Sequence, residues 1–157
     1  MPAPSHTVRR DLSVPVERTF DVVVAEDVLP HVLHRWGPIP AVAGTRELSG
    51  PWDTPGSERT VVLGNGGTVR ETVLCWERPA HFAYRVDRID GSLGRLVDHA
   101  IGEWWFQTAD PGSCFRWTYT FHGRRGRLAL DLFARTAWAA YMSRCADRLV
   151  ARAERGA

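Results

Sequence analysis

Between Leu128 and Arg152 the chain has neither proline nor glycine, and its apolar side chains recur at spacings of three and four. Leu130, Ala134, Ala137, Trp138, Tyr141, Cys145 and Leu149 form one stripe, the pattern of a helix that buries one face. About 25 residues at ~1.5 Å each make a rod of roughly 37 Å. A helix of that length needs a broad apolar surface to rest on, and the preceding sequence supplies one. Phe115, Trp117, Tyr119 and Phe121 alternate with Arg116, Thr118, Thr120 and His122. This period of two belongs to a strand with one buried face. Phe82, Tyr84 and Val86 alternate in the same way, as do Trp104 and Phe106.

Turn chemistry divides the chain into a succession of such strands. Gly50-Pro51 to Pro55-Gly56, Gly64 to Gly67, Arg78-Pro79, Asp90-Gly91 and Asp110-Pro111-Gly112 are the separators. They predict strands at about 42–50, 57–63, 67–78, 80–89, 99–108 and 113–122, after a first strand at about 6–14. Short links between successive strands imply antiparallel pairing. Pro15 and Glu17 suit the first turn of a helix, with Val16, Phe20, Val23 and Val24 at helical spacing. A second short helix is expected from about Glu26 to His34. The reading is α+β: about seven antiparallel strands, two short helices after the first, and one unbroken C-terminal helix from Leu128.

The 157 residues suit one domain, 1–157, with residues 1–5 flexible. A hydrophobic fraction of 44% and a charged fraction of 24% describe an ordinary globular chain. Twenty basic residues balance 18 acidic ones, and every basic residue is arginine. Lysine nucleophiles, Schiff bases and phosphate-loop lysines are thereby excluded. The balance argues against nucleic-acid binding. The cluster Arg124-Arg125-Gly126-Arg127 reads as a solvated connector. No apolar run is long enough for stable membrane insertion. The opening residues lack the features of a signal peptide, so the cytoplasm is the expected compartment. Cys75, Cys114 and Cys145 stand far apart without CxxC spacing, and His31 and His34 lack companion ligands. Free thiols, no metal and no cofactor are therefore expected. Gly64-Asn65-Gly66-Gly67 sits between strands and reads as a hairpin turn, not a phosphate loop.

The order of elements resembles the START-like helix-grip fold of the SRPBCC superfamily, which includes birch-pollen-allergen-like proteins, and within it the polyketide cyclase/dehydrase branch. The resemblance rests on Val14-Pro15-Val16-Glu17-Arg18-Thr19-Phe20 at the first helix and Gly56-Ser57-Glu58-Arg59-Thr60-Val61 at the third strand. It continues through Glu71-Thr72-Val73, Pro79-Ala80-His81-Phe82-Ala83-Tyr84, Gly102-Glu103-Trp104-Trp105-Phe106 and Arg116-Trp117-Thr118-Tyr119. It spans nearly the whole chain. It implies an elongated cavity between sheet and helix, and it implies no single reaction, because such proteins include cyclases, dehydratases, hydrolases, carriers and binders.

Seven Trp, six Phe and three Tyr, concentrated in the last strands and helix, make rigid walls for a flat hydrophobic guest. The expected ligand-binding set is Phe82, Tyr84, Trp104, Phe106, Phe115, Trp117, Tyr119, Trp138, Tyr141 and Met142. The leading reading is a carrier, sequestering or self-resistance protein for a polyketide-derived small molecule, as in enediyne-type clusters. The alternative is a metal-independent cyclase, aromatase or dehydratase. Its candidate groups are the hydroxyls of Tyr84, Tyr119 and Tyr141, with Arg85, Arg116, His99 and Asp98 as weaker ones. A third reading, a protein-interaction module, rests on an outer face carrying Trp52, Trp76 and Trp105. The expected assembly is a monomer or weak homodimer.

Overall fold

The computed structural model describes residues 2–123 and 125–156. Seven strands, β1 (Ser5–Leu12), β2 (Val42–Arg46), β3 (Glu58–Leu63), β4 (Thr68–Glu77), β5 (His81–Asp87), β6 (His99–Thr108) and β7 (Ser113–His122), form one antiparallel sheet. Their order is β1-β7-β6-β5-β4-β3-β2. The helices are α1 (Val16–Val23), α2 (Leu29–Val32), α3 (Leu93–Leu96), α4 (Arg127–Arg135) and α5 (Ala137–Glu154). The helix-grip architecture expected from the sequence is the observed one, and no helix of the described residues is long and apolar enough to cross a membrane.

Four details differ from the sequence reading. Pro4 and Ser5 are not loose: Ser5 pairs with Thr120, and the Pro4 carbonyl accepts a bond from the Phe121 N–H at 2.9 Å. A short helix, α3, interrupts the link between β5 and β6. The C-terminal helix is broken in two at Thr136, whose φ of −116° and ψ of −91° leave the helical region. The Thr136 hydroxyl donates to the Leu132 carbonyl at 2.6 Å, a local bond that bends helices. Arg124 of the basic connector lies outside the described residues.

The fourth difference is a bulge in β4 between Val73 and Cys75. Before it, Val69, Glu71 and Val73 point inward; after it, Trp76 does. One extra residue inverts the alternation of everything that follows. Trp76 thus meets Phe20 edge-on at 5.4 Å and Phe82 at 5.4 Å, while Leu74 is left exposed.

Between sheet and helices lies the core. α5 packs on β1 and α1, towards the rim of the sheet rather than its centre. Polar ties fix it there. Arg10 on β1 donates to Asp147 at 2.9 Å and to the Ser143 hydroxyl at 2.8 Å. Arg18 donates to the carbonyl of Ala153 at 3.1 Å, and Ser13 binds Glu154 through both its N–H and hydroxyl. Phe20 of α1 fills the end of the core nearest the β6–β7 hairpin, 5.0 Å from Phe106.

Candidate functional site: an aromatic cavity under the helices

With Phe20 filling one end and α5 displaced to the rim, a space of about 500 Å³ remains over the middle of the sheet. This is within the range of small-molecule sites. Its floor is the inward face of β5, β6 and β7: Phe82, Tyr84, Trp104, Trp117, Tyr119 and Phe121. Its roof is Trp138, Tyr141, Cys145 and Leu149 of α5 with Leu130 and Phe133 of α4. Val24, Val28, Val32 and Leu96 line other parts. The break at Thr136 lets α4 and α5 both contribute to the roof.

The aromatic walls hold one another in place. Trp104 and Trp117 stack at 4.5 Å with planes 9° apart. Trp138 bridges roof to floor, 4.7 Å from Tyr119 and 5.0 Å from Tyr141. Gly102 lies opposite both Tyr84 and Tyr119 in the sheet. A Cβ there would overlap the ring and hydroxyl of Tyr84, so the glycine is what allows that ring to lie across β6.

Seven of the ten expected ligand-binding residues line this space: Phe82, Tyr84, Trp104, Trp117, Tyr119, Trp138 and Tyr141. Phe106, Phe115 and Met142 do not. They share the inward faces, but they belong to the packed core: Phe106 meets Phe20 of α1, and Phe115 and Met142 have no exposed surface. Of the weaker candidates, Arg85 faces Asp87 at 3.4 Å and Arg116 is exposed. His99 stacks on His122 at 4.6 Å, away from the cavity lining. The outer-face trio is also corrected. Trp52 is buried and lines the cavity, and Trp76 turns inward after the bulge. Of the three, Trp105 alone is exposed, so they do not share one outer face.

A buried ion pair in the cavity wall escaped the sequence reading. Arg59 on β3 and Glu71 on β4 are cross-strand partners, with side chains 5% and 11% exposed. Arg59 Nε and Nη2 both approach Glu71 Oε1, at 3.0 and 2.9 Å. Its Nη1 donates to the carbonyl of Glu26 at 2.8 Å, and its guanidinium lies 3.7 Å above the Trp52 ring. The signal was present: Arg59 shares the face of Val61, and Glu71 stands between Val69 and Val73.

Asn65, Asp90 and Ser92 also line the space, and the polar groups on its aromatic walls are N–H and O–H groups. The indole N–H of Trp138 is buried without a hydrogen-bond partner among the described residues, and that of Trp117 is buried beside the Tyr84 hydroxyl without a hydrogen bond of good geometry. Burial pushes the Tyr84, Tyr119 and Tyr141 hydroxyls up from their ordinary pKa, so all three stay protonated. The Tyr141 hydroxyl donates to the Pro40 carbonyl at 3.3 Å. Burial likewise raises the Cys145 thiol, leaving it a neutral part of the apolar wall. The cavity has room for a flat hydrophobic molecule between aromatic walls that carry buried N–H and O–H groups.

Comparison with known proteins agrees with this architecture. Ara h 8.0201, a birch-pollen-allergen-like protein, superposes with a TM-score of 0.67 at 15% identity, over 94% of this chain and 97% of its own. XoxI from Bacillus cereus superposes with a TM-score of 0.70 at 14% identity, over 95% and 94%. The di-domain ARO/CYC BexL from the BE-7585A biosynthetic pathway gives 0.68 at 18%, over 96% of this chain and 50% of its own. At these identities the likeness is one of fold. No curated protein matches the sequence significantly. The family described as "Polyketide cyclase / dehydrase and lipid transport" matches residues 3–154, and the chain belongs to that family.

Proposed function

We propose that this protein binds a flat, carbonyl-bearing molecule of polyketide type in the cavity and carries or sequesters it. The observation that carries this reading is the Trp138 indole N–H, buried without a hydrogen-bond partner among the described residues, in the lining of a largely apolar space. A buried donor without an acceptor costs about 1–3 kcal/mol, and a ligand oxygen would remove that cost. The protonated tyrosines add donors of the same sense. A hydrocarbon would fill the space but leave them unsatisfied; a quinone or polyketone would satisfy both requirements. The di-domain ARO/CYC BexL, which shares this fold, comes from the BE-7585A biosynthetic pathway, which supports a ligand of that class.

A second reading, cofactor-free cyclisation or dehydration, is favoured by the Arg59–Glu71 pair. Folding a poly-β-keto chain so that an enolate meets a carbonyl draws on proximity. Arg59 could polarise a carbonyl oxygen, and Glu71 could move a proton. Both groups already satisfy each other, so the binder remains the first reading.

The test is calorimetric titration with a polycyclic quinone and its parent hydrocarbon, beside product formation from a polyketide-like substrate. The binder reading expects tighter binding of the quinone, no turnover, and a loss of about 2–13-fold on Tyr→Phe at position 84 or 119, the worth of one ordinary hydrogen bond. Equal affinity for the hydrocarbon would overturn it. Turnover that falls about a hundredfold in one variant, with affinity unchanged, would establish the enzyme instead.

A further inference from the structure

Across the sheet from the cavity, the bulge in β4 that turns Trp76 inward turns Cys75 and Glu77 outward. These two are i and i+2 on one face, and Glu77 stands opposite His81 of β5 in the register. Their ligand atoms converge. Cys75 Sγ lies 3.2 Å from His81 Nδ1 and 3.4 Å from Glu77 Oε1, and all three ligand atoms lie within 4.8 Å of one another. The other ring nitrogen of His81, Nε2, is 2.9 Å from Glu103 Oε2 on β6. The imidazole stacks on Trp105 at 3.7 Å with planes 5° apart. The ring is therefore fixed on its face and at both nitrogens.

We propose that Cys75, Glu77 and His81 form a three-ligand zinc site on the outer face of the sheet. Thiolate, imidazole and carboxylate together suit zinc among the common divalent ions. Tetrahedral zinc, with bonds of about 2.3 Å to sulfur and ~2.0–2.1 Å to nitrogen or oxygen, separates sulfur from its neighbours by about 3.5 Å. The observed 3.2 and 3.4 Å need to open by a few tenths of an ångström. Glu103 occupies the position from which a carboxylate orients a metal-bound histidine. The Cys75 thiol donates to Glu77 at 3.4 Å, and zinc would take the place of that proton between the two ligands. Exposed Leu74 and Trp105 flank the cluster. The fourth position would be open to water, and all three ligands come from a single hairpin, so the ion would clamp the β4–β5 turn.

Zinc and cobalt(II) titrations of the full chain test this independently of the cavity. Expected are one equivalent of zinc and, with cobalt, a thiolate-to-metal charge-transfer band. Cys75→Ser and His81→Gln should abolish the band, Cys114→Ser should keep it, and Glu103→Gln should weaken zinc binding about 10–100-fold. Zinc should also slow alkylation of Cys75 in the wild type, a measurement that needs no variant to fold. No binding, no thiolate band, or equal zinc affinity in Cys75→Ser would overturn the proposal. Cavity-ligand affinity should not change with zinc, so either reading can fail alone.

Discussion

Replacing Glu71 by glutamine tests what the Arg59–Glu71 pair does in the cavity wall. Glutamine keeps the volume and one oxygen to accept from Arg59, so the change removes little but charge. Two unit charges about 4 Å apart attract by ~4 kcal/mol at an effective dielectric of 20. Breaking a buried pair from one side typically costs about 3–5 kcal/mol, because the survivor stays buried and uncompensated. Arg59 would retain the Glu26 carbonyl at 2.8 Å and the Trp52 face at 3.7 Å. These remaining partners place the expected loss near the lower end, about 3 kcal/mol. With a urea slope of ~2 kcal/mol/M, the unfolding midpoint should fall by roughly 1.5 M. The double variant Arg59→Met with Glu71→Met leaves no charge to strand and should cost under about 1 kcal/mol. The signature is strong non-additivity between partners in contact. A Glu71→Gln loss below about 1 kcal/mol, or a double variant costing as much as the two single ones together, would refute the reasoning. Either result would mean that water in the cavity solvates both groups.

Gly102→Ala should destabilise by about 1–3 kcal/mol through overpacking against Tyr84, read as a lower unfolding temperature, and should weaken cavity binding. Phe115→Ala should cost about 3–5 kcal/mol, whereas Trp105→Phe, on an exposed position, should stay within about 0.5 kcal/mol; urea unfolding separates them. The Arg70 guanidinium, in two contacts of 2.7 Å, holds the Asp87 carboxyl below its usual pKa. Its stabilisation is complete above the unfolded carboxylate pKa of about 3.9 and is lost as pH falls through the lower folded value. Unfolding followed through that acid range should show a shallower decline in Asp87→Asn. For the tyrosines the sign is opposite. Their folded pKa values are raised, so their contribution is complete below the unfolded value of about 10 and lost as pH rises through the folded one. Stability should decline above about pH 10, and ligand affinity should show no tyrosine titration below it.

Much of the fold was legible because its strands are short, alternating and separated by glycine and proline. β6 and β7 fall at 99–108 and 113–122 as the alternation of their aromatics predicts. Single-residue events were not legible. The bulge at Val73–Cys75 carries no distinctive residue, yet it decides that Trp76 faces the core and Cys75 the outside. Thr136 interrupts a sequence with no helix breaker, and its hydroxyl and N–H share the Leu132 carbonyl there. Within the site, alternation identified the faces of Phe106 and Phe115 correctly. It could not tell that Phe20 arrives from α1 to close that end of the space. Arg59 and Glu71 lay on inward faces by the same alternation, but charge on a strand is ordinarily read as exposure. Their mutual pairing across β3 and β4 is a matter of register, which depends on contacts between distant segments.

Tryptophan fluorescence during titration with a polycyclic quinone tests the central claim most directly, because the seven tryptophans divide by position. Trp52, Trp104, Trp117 and Trp138 line the cavity, and Trp105 lies on the opposite face of the sheet. Saturable quenching should occur in the wild type and in Trp105→Phe, and should diminish in Trp117→Phe and in Trp138→Phe. Quenching lost in Trp105→Phe but intact in the other two would place the ligand outside and contradict the account.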